Sequence, residues 1–391
     1  MTVQRETMTS RERLLVALNH QEPDRVPIDL GGNQTGIHRL AYAALLDRLG
    51  FHEEIDIMDA VQQLARPSEA VLQRLRVDTR YIHAGAAADF HGSIVTARRD
   101  GTVWHDLVDE FGIRWSMPDE TPLYMDITLH PLANATIEDV QAYPFPRGDD
   151  PGRFVGLRER ALQIRQETPY AVVAGICGVV YEICWYMRGL ERWFMDMLEQ
   201  PQFCEALIDR TLQFWLDWFE AFLREVGDVV DVIMIGDDIA GQRGPLFQPQ
   251  FYRSLVKPRQ KKLVQLIKSK TRAKIWYHTC GACRTYIPDL LDNGIDALNP
   301  VQISATDMDP ATLKTEFGPR LTFWGGGIDA QHVLPIADPA TVREHVRRNV
   351  RTWMPGGGYV FNNVHNIQAG VPADNILAMY DAAYEFGFYA K

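Results

Sequence analysis

Long apolar runs are absent from this sequence; none reaches the roughly 18 consecutive residues that would suggest a membrane span. Long basic runs are absent too. The net charge of −11 has the wrong sign for nucleic acid or an anionic membrane surface as a partner. It also disfavours a substrate carrying many carboxylates, unless a local cationic cleft offsets the field. Cysteine is scarce, with five in 391 residues, and an odd number in so long a chain argues against a disulfide framework. The first thirteen residues are polar and charged and contain no apolar segment of signal-peptide type, so a cytoplasmic protein is expected. No repeat of solenoid length and no low-complexity tract is present.

What is present supports a large core. The hydrophobic share is 46% against 23% charged residues. The length exceeds that of a usual domain, but α/β barrels often run long as a single domain. From residue 26 onward, β-branched runs alternate with amphipathic stretches, the pattern of a parallel sheet. Strands are predicted at 25–30, 79–84, 171–177, 229–236, 273–278, 297–302, 321–326 and 359–363. Helices are predicted at 40–49, 67–75, 186–198, 201–226, 249–268, 286–293, 310–317, 339–353 and 373–386. This alternation favours a (β/α)8 TIM barrel, one domain spanning 1–391, over an open doubly wound sheet. Segment 92–147 breaks the rhythm. It reads as short strands at 93–98, 103–108 and 112–116, then a passage with Pro131, Pro144 and Pro146. We expect a β-rich insertion after the second strand that covers one mouth of the barrel; a separate small domain is the alternative.

The most informative stretch is Trp276-Tyr277-His278-Thr279-Cys280-Gly281. Alternate side chains of a strand share a face, so His278 and Cys280 aim an imidazole and a thiolate at one point. That donor pair suits zinc better than calcium or magnesium, which prefer oxygen. A core histidine beside an inert buried cysteine is the plainer alternative. Barrel chemistry gathers at the C-terminal ends of the strands. Those ends carry Asn33, His83, Cys177, Asp237 and Asp238, His278 and Cys280, Asn299 and Gln302, Asp329, Asn363 and His365. Of these, Asn33, His83, Asp237 and Gln302 are candidates for substrate contact. Asp237 and Asp238 follow a deep apolar run, so one carboxylate is expected to enter the cavity while the other braces a loop or helix. Asp238 is the candidate catalytic carboxylate, as a metal ligand, an orienter of His278 or a general base; capping of the next turn is the alternative. Cys283 completes a C-x-x-C with Cys280. It is expected to pack in the next helix rather than serve redox chemistry, with spare metal ligation as its other option. Gly325–Gly327 reads as a tight turn. Most of the aromatic cluster at 185–222 should be core or dimer interface, and only Tyr186 is placed for the cavity.

Together, Cys184-Trp185-Tyr186-Met187-Arg188-Gly189, Gly236-Asp237-Asp238-Ile239-Ala240-Gly241-Gln242, His278-Thr279-Cys280-Gly281 and Val364-His365-Asn366-Ile367 resemble the uroporphyrinogen decarboxylase superfamily. That superfamily holds decarboxylases and zinc-dependent methyltransferases that use cobalamin proteins and thiols. The resemblance runs from Arg25-Val26-Pro27 to the final helix and implies the (β/α)8 barrel. His278-x-Cys280 matches the first two ligands of the methyltransferase zinc motif. The place of that branch's third cysteine is held by His365, which resembles the decarboxylases' active-site histidine. Tyr186 sits where the decarboxylases keep a functional tyrosine, and Asp238 where they carry a serine. The arginines with which they grip uroporphyrinogen are replaced by Gly31-Gly32-Asn33-Gln34-Thr35-Gly36, with Arg39 the first arginine to follow. The resemblance therefore implies a zinc enzyme with His278, Cys280 and His365 as ligands and Asp238, Tyr186 and His365 as catalytic residues. Its expected reaction moves a methyl group between a small substrate and a corrinoid or thiol acceptor, with a corrinoid protein as partner and a homodimer as a plausible assembly. The alternatives are a metal-assisted decarboxylase or lyase of a small carboxylate or aromatic substrate, and a catalytically silent binding module.

Overall fold

The computed structural model describes residues 6–390, so the first five residues of the polar N-terminal segment lie outside it. A seven-stranded parallel sheet forms the frame, its strands neighbouring one another in chain order: Thr79–Ile82, Ala171–Gly175, Val232–Gly236, Lys274–His278, Ala297–Asn299, Thr322–Trp324 and Tyr359–Val360. All seven fall within predicted strands. The predicted strand at 25–30 is corrected: it forms no continuous ladder and joins through isolated bridges, Ile28 to Phe361 and Arg25 to Phe388. Pro27 has no N–H to give, and the Asp78 carboxylate captures the Ile28 N–H at 2.8 Å. This stretch still spans the two edges of the sheet. Asp29 N–H donates to Phe361 O at 2.9 Å, and Asp78 N–H donates to Ile28 O at 2.8 Å. The architecture is thus α/β and TIM-like.

Period-two alternation sorts the strand residues onto two faces. Ala171, Val173, Val232, Met234, Trp276, Ala297, Trp324 and Val360 pack together inside the barrel, joined by Leu14 and Leu18. Those two leucines belong to a helix the sequence reading missed, Ser10–Leu18, fixed at its start by a Thr9–Glu12 capping box. The helix plugs the N-terminal end of the barrel, which leaves the C-terminal end for chemistry. The opposite face of the sheet packs on the surrounding helices, including the 26-residue Pro201–Val226 with its buried Trp215, Trp218 and Phe222.

Two helical predictions change. The helix predicted at 186–198 is two helices, Glu182–Arg188 and Leu190–Glu199, broken at Gly189, whose φ of 92° few other residues adopt. A π turn, Tyr252–Val256, interrupts the helix predicted at 249–268 just before Pro258. Helix Leu157–Glu167 was not predicted; only Leu157 and Ala161 in it are buried, so its apolar stripe is thin. After Thr79–Ile82 the chain forms a four-stranded antiparallel sheet, Val95–Arg99, Thr102–Val108, Arg114–Pro118 and Asp126–Leu129. The third of these was predicted at 112–116, and the fourth was hidden among prolines. This sheet and its flanks reach the rim: Leu132 N–H donates to Met187 O at 2.8 Å, and the Trp115 ring meets the Tyr186 ring at 5.4 Å. Among the described residues no helix is long and apolar enough to cross a membrane.

Beside the plug helix, Arg13 donates to Asp24 and Asp78, both at 2.7 Å, and Arg25 also reaches Asp78 at 2.7 Å. Burial alone would raise the Asp24 carboxyl, but the Arg13 guanidinium and the Met8 and Thr7 N–H groups outweigh it, lowering its pKa from 3.8 to about 2. A carboxyl depressed in the folded state stabilises fully above its unfolded pKa, and that stabilisation is lost as pH falls through the folded value. The stability gap between the native chain and Asp24→Asn should therefore be full above pH 3.8 and close as pH approaches 2, read as urea midpoints across a pH series.

Candidate metal centre

His278 ends its strand one alternation beyond Trp276, so it faces into the barrel above the apolar interior. The neighbouring strand must make room for it. A Cβ on Gly236 would collide with the His278 carbonyl oxygen and Cβ, which is why glycine stands there. His278 Nδ1 lies 2.6 Å from Asn299 Oδ1. Since that oxygen can only accept, Nδ1 carries the hydrogen and Nε2 presents its lone pair. Burial lowers the His278 pKa to about 4, with the Asn299 bond opposing, so the ring is neutral at physiological pH.

Two residues on, Cys280 Sγ sits 3.5 Å from His278 Nε2. The Cys280 turn is held from both sides: Asp238 Oδ1 accepts the Cys280 N–H at 2.6 Å, and Gln302 Oε1 accepts the Gly281 N–H at 2.9 Å. Gly281 has φ 82°, and a side chain there would strike the Gly241 backbone. Asn299 and Gln302 reach this turn because the chain leaves its strand at Asn299. Pro300 offers no N–H, and Val301 adopts φ 56°, unusual for a β-branched residue. That departure corrects the strand predicted to run to 302.

His365 arrives from the far end of the sheet with φ 64°, another uncommon conformation outside glycine. Its ring centre lies 5.2 Å from that of His278, and the two rings are tilted by 62°. Burial and the neighbouring His278 lower its pKa to about 3, with Asp238 opposing. His278, Cys280 and His365 each offer one ligand atom, and these atoms lie within 4.8 Å of one another. Donors at about 2.0–2.3 Å from a tetrahedral zinc stand roughly 3.3–3.8 Å apart, so the widest pair closes by up to about 1–1.5 Å to share an ion. Two neutral imidazoles and one thiol, with the Nδ1 of one imidazole anchored, match the donor chemistry zinc takes. Without a metal the Cys280 thiol is held well above its usual pKa by burial, Asp238 and Glu182; a bound cation reverses that balance.

The sequence-predicted residues divide at this point. Asp238 stands at the triad, with Oδ1 3.8 Å from His278 Nε2, and burial raises its pKa. Asp237 does not enter the cavity. Fully buried, it accepts N–H groups from Tyr181 at 2.7 Å and Glu182 at 3.0 Å, with Val180 and Gln260 as further donors. Its substrate assignment is corrected to bracing helix Glu182–Arg188, because strand alternation turns it opposite to Asp238. Gln302 braces the Cys280 turn, and its amide donates to Gln242 Oε1 at 2.8 Å. Asn33 donates to Asp59 at 3.1 Å. His83 stacks on Tyr81, their ring centres 6.2 Å apart, and its buried Nε2 has no partner among the described residues. Asn363 is fully buried with both amide atoms unpartnered. Cys283 is buried and stands outside the triad.

The Tyr186 hydroxyl donates to Glu182 Oε1 at 3.0 Å. Glu182 is the residue the sequence reading missed. It is buried, and burial together with Asp238 and Asp237 pushes its pKa well above that of an ordinary carboxyl. No Lys or Arg pairs with Glu182 or Asp238 among the described residues. The available signal was the Glu182–Tyr186 spacing, which puts both side chains on one helix face.

A "Uroporphyrinogen decarboxylase" from Alkalilimnicola ehrlichii is 22% identical, covering 97% of this chain and 95% of that protein. Another from Actinobacillus succinogenes is 24% identical over 66% of this chain and 70% of that protein. The solved structure of a methyltransferase from Methanosarcina mazei superposes with a TM-score of 0.66 at 19% identity, covering 97% of this chain and 99% of that one, which shows a shared fold. The sequence pattern of the family "Uroporphyrinogen decarboxylase (URO-D)" matches residues 108–386. The chain therefore belongs to the uroporphyrinogen decarboxylase family.

Proposed function

We propose that this chain is a zinc-dependent methyltransferase or demethylase, moving a methyl group between a small substrate and a corrinoid or thiol acceptor. The observation that carries the reading is the convergence of His278, Cys280 and His365 within 4.8 Å. When bound there, zinc supplies Lewis acidity that lowers the pKa of a substrate thiol or hydroxyl. The remaining work falls to the chain's own side chains. Asn299 fixes the His278 tautomer. Asp238 and Gln302 hold the Cys280 turn, and Asp238, with Oδ1 3.8 Å from His278 Nε2, stands next to the three donors that would hold the ion. Tyr186 and Glu182 form a hydroxyl–carboxyl pair able to hold a proton near the substrate. His83, Asn33 and Asn363 are the proposed substrate contacts. We take 1–391 as one barrel domain, with 92–147 inserted after its second strand and shielding the mouth. Two imidazoles with one thiolate leave the site less negative than a two-thiolate set, which favours oxygen substrates over thiols. The acidic groups Glu182 and Asp238, with no Lys or Arg paired to them among the described residues, make a polycarboxylate substrate unfavourable.

A second reading, a metal-assisted decarboxylase or lyase, draws support from the Tyr186–Glu182 pair and from the curated relatives. Methylcobalamin demethylation followed at the corrinoid absorbance bands, with small methoxy compounds, alcohols and thiols as partners, separates the two. Zinc-dependent turnover without carbon dioxide release is the expected result. Carbon dioxide release with no corrinoid spectral change would move the assignment to the lyase.

A further inference from the structure

A cavity of about 830 Å³ opens at the opposite, N-terminal end of the barrel, beside the plug helix. Bottom faces of such barrels usually serve stability alone. This one carries six cationic side chains, Arg11, Arg165, Lys268, Lys270, Arg272 and Lys274, in a chain of net charge −11. Their carboxylate partners are too few. Arg11 and Arg165 share Asp231, at 2.8 and 2.9 Å. That carboxylate is buried and also accepts the Val172 N–H at 3.0 Å. Lys268 and Lys274 share Asp296, at 3.2 and 3.7 Å, and Lys270 takes Glu220 at 2.6 Å. Arg272 has no carboxylate partner among the described residues, and Asp228, also in the wall, is already held by Arg158 at 2.7 Å. Three positive charges in excess thus converge on one concave space. Donors are left over as well. Arg11 binds Asp231 through Nε, and Arg165 uses only its Nη1. Their remaining forked N–H groups suit phosphate oxygens.

We propose that this cavity is a second binding site, for a small polyphosphate anion, free or as the terminal part of a nucleotide. Its volume lies within the range of small-ligand pockets, about 300–1,000 Å³. Because Arg11 belongs to the plug helix while the other cations lie on helices Leu157–Glu167 and Lys257–Lys270 and on strand Lys274–His278 and the segment leading into it, the anion cross-links the plug to the surrounding elements and stabilises the fold. The site is independent of the metal centre and of its chemistry.

The test is calorimetry and thermal unfolding of the full chain with pyrophosphate, tripolyphosphate and ATP at constant ionic strength, with sulfate as the reference anion. Tripolyphosphate should bind in the sub-millimolar range and raise the unfolding temperature. Arg272→Glu combined with Lys268→Glu should weaken it at least tenfold and leave the metal content unchanged. ATP binding as tightly as tripolyphosphate identifies a nucleotide tail as the source, and tighter binding of the free anions identifies free polyphosphate. No binding, an effect equalled by sulfate, or undiminished affinity in the double variant would overturn the site. These readings do not involve methyl transfer, so they stand or fall apart from the proposed reaction.

Discussion

Replacing Cys280 with alanine should empty the metal centre and silence the enzyme while leaving the barrel folded. The Sγ atom is the one sulfur donor among the three ligands, and the site is partly open, so no core packing depends on it. Losing even an orienting partner of a ligand costs metal affinity about 10–100-fold, and losing the ligand itself should cost at least the upper end of that range. Zinc per chain, measured after dialysis against a mild chelator, should fall from about one to near zero, with activity falling at least as far. Far-ultraviolet circular dichroism and the unfolding midpoint of the apoprotein should match those of the native apoprotein. His278→Ala should lose zinc in the same way. Full zinc content in either variant refutes the ligand assignment, and joint loss of zinc and fold would mean a structural rather than a catalytic ion.

The largest stability effect should come from the other end of the barrel. Asp78 is fully buried between two guanidiniums, accepting from Arg13 and Arg25 at 2.7 Å each and from the Ile28 N–H at 2.8 Å. Asp78→Ala takes the shared carboxylate from two buried guanidiniums, leaving Arg13 only Asp24 and Arg25 only Glu6 at short range, and strips the 25–30 stretch of the bond that docks it to the sheet. Breaking one side of a buried ion pair costs about 3–5 kcal/mol, a large fraction of the roughly 5–15 kcal/mol that keeps a domain folded. Denaturant titration should show the midpoint shifted by that amount or the chain failing to accumulate. Asp78→Asn keeps an acceptor for the Ile28 N–H, so it should recover part of the loss. A shift under about 1 kcal/mol for Asp78→Ala would mean that the network contributes no more than a surface pair.

The frame and the heart of the site were legible because both are written in strand alternation. Trp276 facing inward forces His278 inward, and Met234 does the same for Asp238; His278 and Cys280 share one strand end, and only the barrel is needed to bring His365 to them. What escaped the sequence depended on distant partners. The Asp237–Asp238 alternation was read correctly as a division of labour, but the assignment of Asp237 to substrate failed because its four donors come from segments that only the fold brings near. Glu182 was passed over because the helix was predicted to begin at 186, and its four-residue spacing to Tyr186 gains meaning only once burial and two neighbouring carboxylates surround it. The 25–30 stretch looked like a strand by composition, yet Pro27 and the competing Asp78 carboxylate reduced it to bridges. The plug helix hid behind the polar turn that precedes Leu14 and Leu18.

The central claim concerns one ion and three donors, and the most direct test is X-ray absorption at the zinc edge on the purified native protein. The account predicts zinc bound by one sulfur at about 2.3 Å and two imidazole nitrogens at about 2.0–2.1 Å, with a light atom completing the shell. A protein without zinc, or zinc whose shell contains two sulfurs or none, would contradict it.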